Sequence, residues 1–137
     1  MRSVCALAYV SVALKSRHGD AVALTRCMNL LPATSPVWAL NPMAMTSAVR
    51  GTTWPPPQRE RYLEAAIVRN PSSSVRTTVI CTEFTTALNA DQNRKAARYY
   101  DLLMEKYGDT RAASELRRSY PRPVVPADSV RAGTKRR

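Results

Sequence analysis

The prolines of this chain decide which of its segments can form a long helix or a central strand. Six of the ten fall within residues 32–57, at Pro32, Pro36, Pro42, Pro55, Pro56 and Pro57. Proline has no backbone N–H and clashes with the preceding turn of a helix, so it interrupts both kinds of element. We therefore predict an extended Pro-rich linker over 32–57, which separates an N-terminal segment, 1–31, from a small helical body, 58–120, and a basic C-terminal tail, 121–137.

The N-terminal segment is strongly apolar over residues 4–14. Ser3 is suited to begin one helix and Asp20 a second, so the pattern predicts an apolar helical hairpin within residues 1–31. The apolar run is too short to cross a membrane as a helix. A lack of acidic residues before Asp20 is also typical of an organellar import signal, retained in this chain. An ordinary helix and a secretion signal stay open as alternatives.

The helical body carries three helix patterns and one strand pattern. Apolar residues recur at helical spacing near 58–69, 91–107 and 110–119, which predicts a mainly α fold. The stretch near 75–83 is rich in Val, Ile and Thr, so we predict one β-strand there. A single strand needs a partner, so either another polypeptide pairs with it or the segment is helical after all.

Both tryptophans, Trp38 and Trp54, lie in the Pro-rich segment. Disordered linkers contain few large apolar side chains, so we predict that these two residues anchor the segment on a partner protein. The alternative is that both pack into the core of this chain.

The excess positive charge lies at the two ends of the sequence. Residues 60–116 hold as many acidic as basic side chains, whereas residues 1–59 carry +5 and residues 117–137 carry +6. Cationic segments bind polyanions because binding releases condensed counterions. The candidate residues for nucleic-acid or anion contact are Arg94, Lys95, Arg98, Arg117, Arg118, Arg122, Lys135, Arg136 and Arg137.

Signatures of catalysis and of metal binding are missing from the sequence. It has no Gly-rich phosphate loop, no His-Glu-x-x-His and no Gly-x-Ser-x-Gly. The cysteines Cys5, Cys27 and Cys81 are widely spaced, and His18 is the only histidine, so a zinc site is not expected. We therefore expect a protein that is not an enzyme and has no cofactor.

These observations are typical of a structural accessory subunit. We expect this chain to belong to a large mitochondrial assembly, first of all a ribosome, where it would bind rRNA phosphates and neighbouring protein subunits. The alternative is a supernumerary subunit of a respiratory-chain or ATP-synthase complex, with peripheral membrane contact. In either case the chain is not expected to act as an isolated monomer.

Overall fold

The computed structural model describes residues 2–15 and 20–126. Over these residues it contains seven α-helices, one 3₁₀ helix and no β-strand, so the mainly α class predicted from the sequence is confirmed. The helices are α1 (Arg2–Lys15), α2 (Ala21–Asn29), the 3₁₀ helix (Pro36–Leu40), α3 (Ala44–Gly51), α4 (Pro56–Arg69), α5 (Ser73–Asn89), α6 (Asn93–Tyr107) and α7 (Arg111–Ser119).

The chain divides into two compact units. Unit 1 comprises Met1–Ile80 and unit 2 comprises Cys81–Arg137, so the boundary falls within α5. The division into four segments that the sequence suggested stays a prediction.

Unit 1 contains α1, α2 and α3, which pack on one another. Their buried stripes are formed by Leu7 and Val10 of α1, Leu24 and Met28 of α2, and Met45 and Val49 of α3. Asp20 begins α2 by accepting a hydrogen bond from the backbone N–H of Val22 at 2.9 Å. The predicted apolar helical hairpin is not supported as a separate element, because α3 packs on both α1 and α2 and the three helices form one cluster.

The segment predicted to be an extended linker, 32–57, contains the 3₁₀ helix and α3. The segment is therefore not extended throughout, because two of its prolines begin helices and do not interrupt them. Pro36 and Pro56 occupy first helical positions, where the missing N–H would have no partner within the helix. Burial of Trp38 then holds this segment in the core of unit 1.

The strand predicted near 75–83 is wrong, since these residues belong to α5. The Thr77 hydroxyl donates a hydrogen bond to the carbonyl of Ser73 at 2.9 Å, which a helix permits. The completely buried apolar residues of α5 follow a helical spacing and are Val75, Val79, Ile80 and Phe84. Burial of this stripe outweighs the weak preference of β-branched residues for strands.

The three predicted helices of the body are present as α4, α6 and α7. The Thr110 hydroxyl accepts a hydrogen bond from the N–H of Ala113 and so begins α7. Helix α6 begins at Asn93 and not at residue 91, because Asp91 adopts a left-handed conformation with φ 57°. That conformation lets the N–H of Gln92 bond to the carbonyl of Ala87 and ends α5.

A buried asparagine joins two segments of unit 1. The side-chain N–H groups of Asn70 donate to the carbonyls of Ala33 at 2.7 Å and Ser35 at 3.1 Å. Its side-chain oxygen accepts from the N–H of Ser72 at 2.9 Å. The turn after α4 is therefore fixed to the segment that follows α2.

Candidate anion-binding surface

The basic residues of α6 lie on the side of the helix away from its buried stripe. Ala96, Ala97, Tyr100 and Leu103 are buried. Arg94 and Arg98 are exposed and lie one turn apart, whereas Lys95 is half-buried. The amphipathic pattern of α6 therefore brings Arg94 and Arg98 into one exposed row.

Arg122 lies next to this row. Its guanidinium donates two hydrogen bonds to the carboxylate of Asp101, at 2.8 and 2.7 Å, and Asp101 follows Arg98 by one turn of α6. The hydrogen bond from Arg122 lowers the pKa of the Asp101 carboxyl group. The pairing fixes residues 121–126 to α6, and the charge of Arg122 is partly compensated.

The two basic residues of α7 lie elsewhere in unit 2. Arg117 is exposed and donates a hydrogen bond to the carbonyl of Gly108 at 3.0 Å, which places its guanidinium at the turn between α6 and α7. Arg118 is exposed and has no polar partner among residues 2–15 and 20–126. The structure therefore groups Arg94, Arg98 and Arg122 and separates them from Arg117. The remaining candidates, Lys135, Arg136 and Arg137, lie outside the described residues.

Three aromatic residues of unit 2, Phe84, Tyr100 and Tyr120, contact one another beside the basic row. Phe84 is completely buried, its ring centroid lies 6.0 Å from that of Tyr100, and it makes an edge contact with Tyr120 at 5.5 Å. Tyr100 is thus a packing residue and offers no open ring face for a nucleotide base.

The two predicted partner anchors are core residues of unit 1. Trp38 is completely buried and Trp54 is 7% exposed. The indole N–H of Trp38 donates to the hydroxyl of Tyr62 at 3.1 Å, and that of Trp54 donates to the side-chain oxygen of Asn29 at 3.2 Å. Neither indole has the exposed surface that a partner anchor needs. The sequence could not show this, because the burial comes from contacts between distant segments.

A shallow cleft of about 480 Å³ opens between the end of α2 and α4. Three of its polar groups are already used by the fold: the Tyr62 hydroxyl donates to the carbonyl of Leu31 and accepts from Trp38, and Asn29 accepts from Trp54. Thr34 and Gln58 are the other uncharged polar residues of the lining. Arg69 is the one charged residue in the lining. The cleft therefore has few groups left to orient a ligand.

Helix α1 exposes an apolar surface that the sequence analysis did not single out. We call it the α1 apolar face, and it consists of Val4, Cys5, Ala8, Tyr9 and Val12. Val4 is 50% exposed and Val12 is 67% exposed. The spacing of four residues between Val4, Ala8 and Val12, with no polar residue among them, is the sequence signal that would have found it.

The chemistry available to the described residues is limited. Burial raises the pKa of the Cys81 thiol, and the Glu115 carboxylate adds to this effect, so the thiol stays protonated and poorly nucleophilic. Within residues 2–15 and 20–126, no three His, Cys, Asp or Glu side chains are placed to hold a metal ion. None of the described helices is long and apolar enough to cross a membrane.

Comparison with family models, with curated proteins and with solved structures finds no match to this chain.

Proposed function

We propose that this chain is a non-catalytic accessory subunit of a mitochondrial ribosome, which contacts rRNA phosphates and neighbouring protein subunits. The observation that supports this proposal is the exposed row formed by Arg94 and Arg98, with Arg122 beside it. Arginine presents a planar fork of N–H groups that suits the oxygen atoms of phosphate. A row that carries such groups at one-turn intervals matches a polyanion better than it matches a small ligand.

RNA binding at different salt concentrations tests the proposal. Each phosphate contact contributes about 0.7 to 0.9 to the slope of log affinity against log salt. The double variant Arg94→Gln/Arg98→Gln is expected to lower the slope by about 1.5 and to weaken binding at low salt. Titration of the full chain with labelled rRNA fragments measures both quantities.

The matched control is Arg61→Gln/Arg69→Gln. It removes the same charge from two exposed arginines of α4 in unit 1. Two results would contradict the proposed contact between the α6 row and rRNA: an RNA affinity that does not depend on salt, or an equal loss of RNA affinity in both double variants.

The second candidate is a supernumerary subunit of a respiratory-chain or ATP-synthase complex that contacts the membrane from one side. The α1 apolar face favours it, because an exposed apolar helix surface needs a covering that RNA phosphates do not provide. Fractionation of mitochondria that contain a tagged chain separates the candidates. A ribosomal subunit would be released from its assembly by high salt and would co-migrate with rRNA, whereas a membrane-associated one would require detergent.

A further inference from the structure

We propose that the α1 apolar face binds the surface of an anionic lipid bilayer, with α1 lying in the plane of the membrane interface. This inference rests on the second candidate function and names the site and the class of lipid. It concerns unit 1 alone and is independent of the RNA contact proposed for unit 2.

The first argument is the composition of the face. Val4, Ala8 and Val12 recur every four residues along one side of α1, and Cys5 and Tyr9 lie beside them. The opposite side of α1 is buried through Ala6, Leu7 and Val10. The helix is therefore apolar on both sides, and only one side is covered by the described part of unit 1. A face of this kind gains free energy by entering the boundary between headgroups and acyl chains.

The second argument is the charge at the two ends of the face. Arg2 and Lys15 are both exposed, and no acidic residue precedes Asp20. Lys15 follows Val4 by eleven residues and Arg2 precedes Tyr9 by seven, so helical spacing brings both cations to the exposed side. Their long side chains can reach lipid phosphates while the residues between them lie deeper. An anionic bilayer is thus complementary to the face in both polarity and charge.

The same charges argue against a second copy of this chain as the occupant. Two α1 faces packed in parallel would bring Arg2 next to Arg2, and an antiparallel pair would bring Arg2 next to Lys15. Like charges brought together in this way repel each other and lower the affinity of one copy for another.

Leu40 and Met43 are also exposed, at 73% and 67%, and a hydrogen bond from Asn41 to Ser11 places their segment beside α1. This segment therefore adds exposed apolar side chains near α1.

Vesicle flotation of the full chain tests the proposal. The protein is expected to float with vesicles that contain phosphatidylglycerol and to bind more weakly to vesicles of phosphatidylcholine alone. Val12→Glu is expected to weaken binding to the anionic vesicles by about tenfold or more, since it places a carboxylate in the centre of the face. The matched control is Val68→Glu on α4, because Val68 is 74% exposed and the substitution adds the same charge. The control is expected to stay within about twofold of the wild-type chain.

A dye attached to Cys5, which is itself a residue of the face, provides a second readout of membrane contact and needs no substitution in the face. With Cys27 and Cys81 replaced by Ser, an environment-sensitive fluorophore on Cys5 is expected to shift its emission to the blue when anionic vesicles are added. Three results would overturn the proposal. They are no flotation of the wild-type chain, an equal loss of vesicle binding in Val12→Glu and Val68→Glu, or a dimer in solution that Val12→Glu dissociates. The RNA titration is a separate measurement, so a failure of lipid binding and a failure of the ribosomal proposal can be distinguished.

Discussion

The hydroxyl group of Tyr62 joins two buried parts of unit 1. It donates a hydrogen bond to the carbonyl of Leu31 and accepts one from the indole N–H of Trp38. Burial raises the pKa of this phenol, and the hydrogen bond from Trp38 opposes the shift only in part. One oxygen atom therefore satisfies two groups that would otherwise be buried without a partner.

We predict that Tyr62→Phe lowers the free energy of unfolding by about 2 to 3 kcal/mol, because the Leu31 carbonyl and the Trp38 N–H lose their partner. Since the pKa of Tyr62 is higher in the folded chain, its contribution is fully present below the unfolded value of about 10 and is lost as the pH rises further. Urea unfolding of the wild-type chain and of Tyr62→Phe at a series of pH values measures the two free energies of unfolding. The difference between them should shrink above about pH 10. Tyr9→Phe is the control, because Tyr9 is exposed and its hydroxyl makes no hydrogen bond among the described residues. An equal decrease in the free energy of unfolding in Tyr9→Phe would contradict the role of Tyr62.

Helix α6 holds the segment that follows α7 through a single ion pair. Asp101 accepts two hydrogen bonds from Arg122, and Pro123 is buried next to it in sequence. Both charged side chains are partly exposed, so the pair contributes more to the position of residues 121–126 than to the stability of the fold.

We predict that Asp101→Asn releases this segment and lowers the NMR order parameters of the backbone amides of Val124 and Val125. The pKa of Asp101 is lowered in the folded chain, so the pairing is present above the unfolded value of about 3.9 and is lost as the pH falls through the folded value. NMR relaxation measured at a series of pH values should therefore show that the order parameters of the variant and the wild-type chain converge only under acid conditions. Glu105→Gln, at an exposed position one turn further along α6, is the control. Unchanged order parameters at Val124 in Asp101→Asn would show that the ion pair does not hold the segment.

The helices that the sequence predicted correctly have local signals at both ends. Thr110 begins α7 with a hydrogen bond to its own first turn, and Pro56 begins α4. Helix α3 and the 3₁₀ helix were missed because a pattern of closely spaced prolines predicts interruptions. Helix α5 was missed because the local preference of its β-branched residues opposes the fold, and its formation depends on burial that only the tertiary structure provides.

The anion-binding surface was likewise predictable where it depends on local sequence and not where it depends on contacts between distant residues. The spacing of Arg94 and Arg98 on an amphipathic helix is a local property, so their shared exposed face followed from the sequence. The pairing of Arg122 with Asp101 joins residues that are 21 positions apart, and the burial of Trp38 depends on Tyr62, which is 24 positions away. Contacts over such separations have no signal in a single sequence.

The whole chain carries a net charge of +11, and the two proposed surfaces use it differently. The row on α6 is proposed to bind through charge, whereas the α1 apolar face combines two terminal cations with exposed apolar area that a membrane would cover. Binding of the chain to RNA is therefore also expected to depend on the basic residues of the C-terminal tail.

We predict that removal of residues 127–137 lowers the salt slope of RNA binding by about 2 to 3, because it removes Arg131, Lys135, Arg136 and Arg137 together with one acid. The titration with labelled rRNA fragments measures the change. A chain with the same eleven residues in scrambled order is the control and should bind as the wild-type chain does, since phosphate contacts carry no sequence information. Unchanged binding after the truncation would exclude the tail from the RNA contact.

The composition of α5 also has a consequence for the chain when it is not folded. Residues 75–86 contain eight β-branched residues, no proline and only two charged side chains, Arg76 and Glu83. Such a segment has the properties of sequences that form intermolecular β-structure when they are exposed. The native helix keeps its Val and Ile side chains buried, so native packing also protects the chain against aggregation. Heating or a destabilising substitution in the core would then lead to irreversible precipitation before a reversible unfolding transition could be completed.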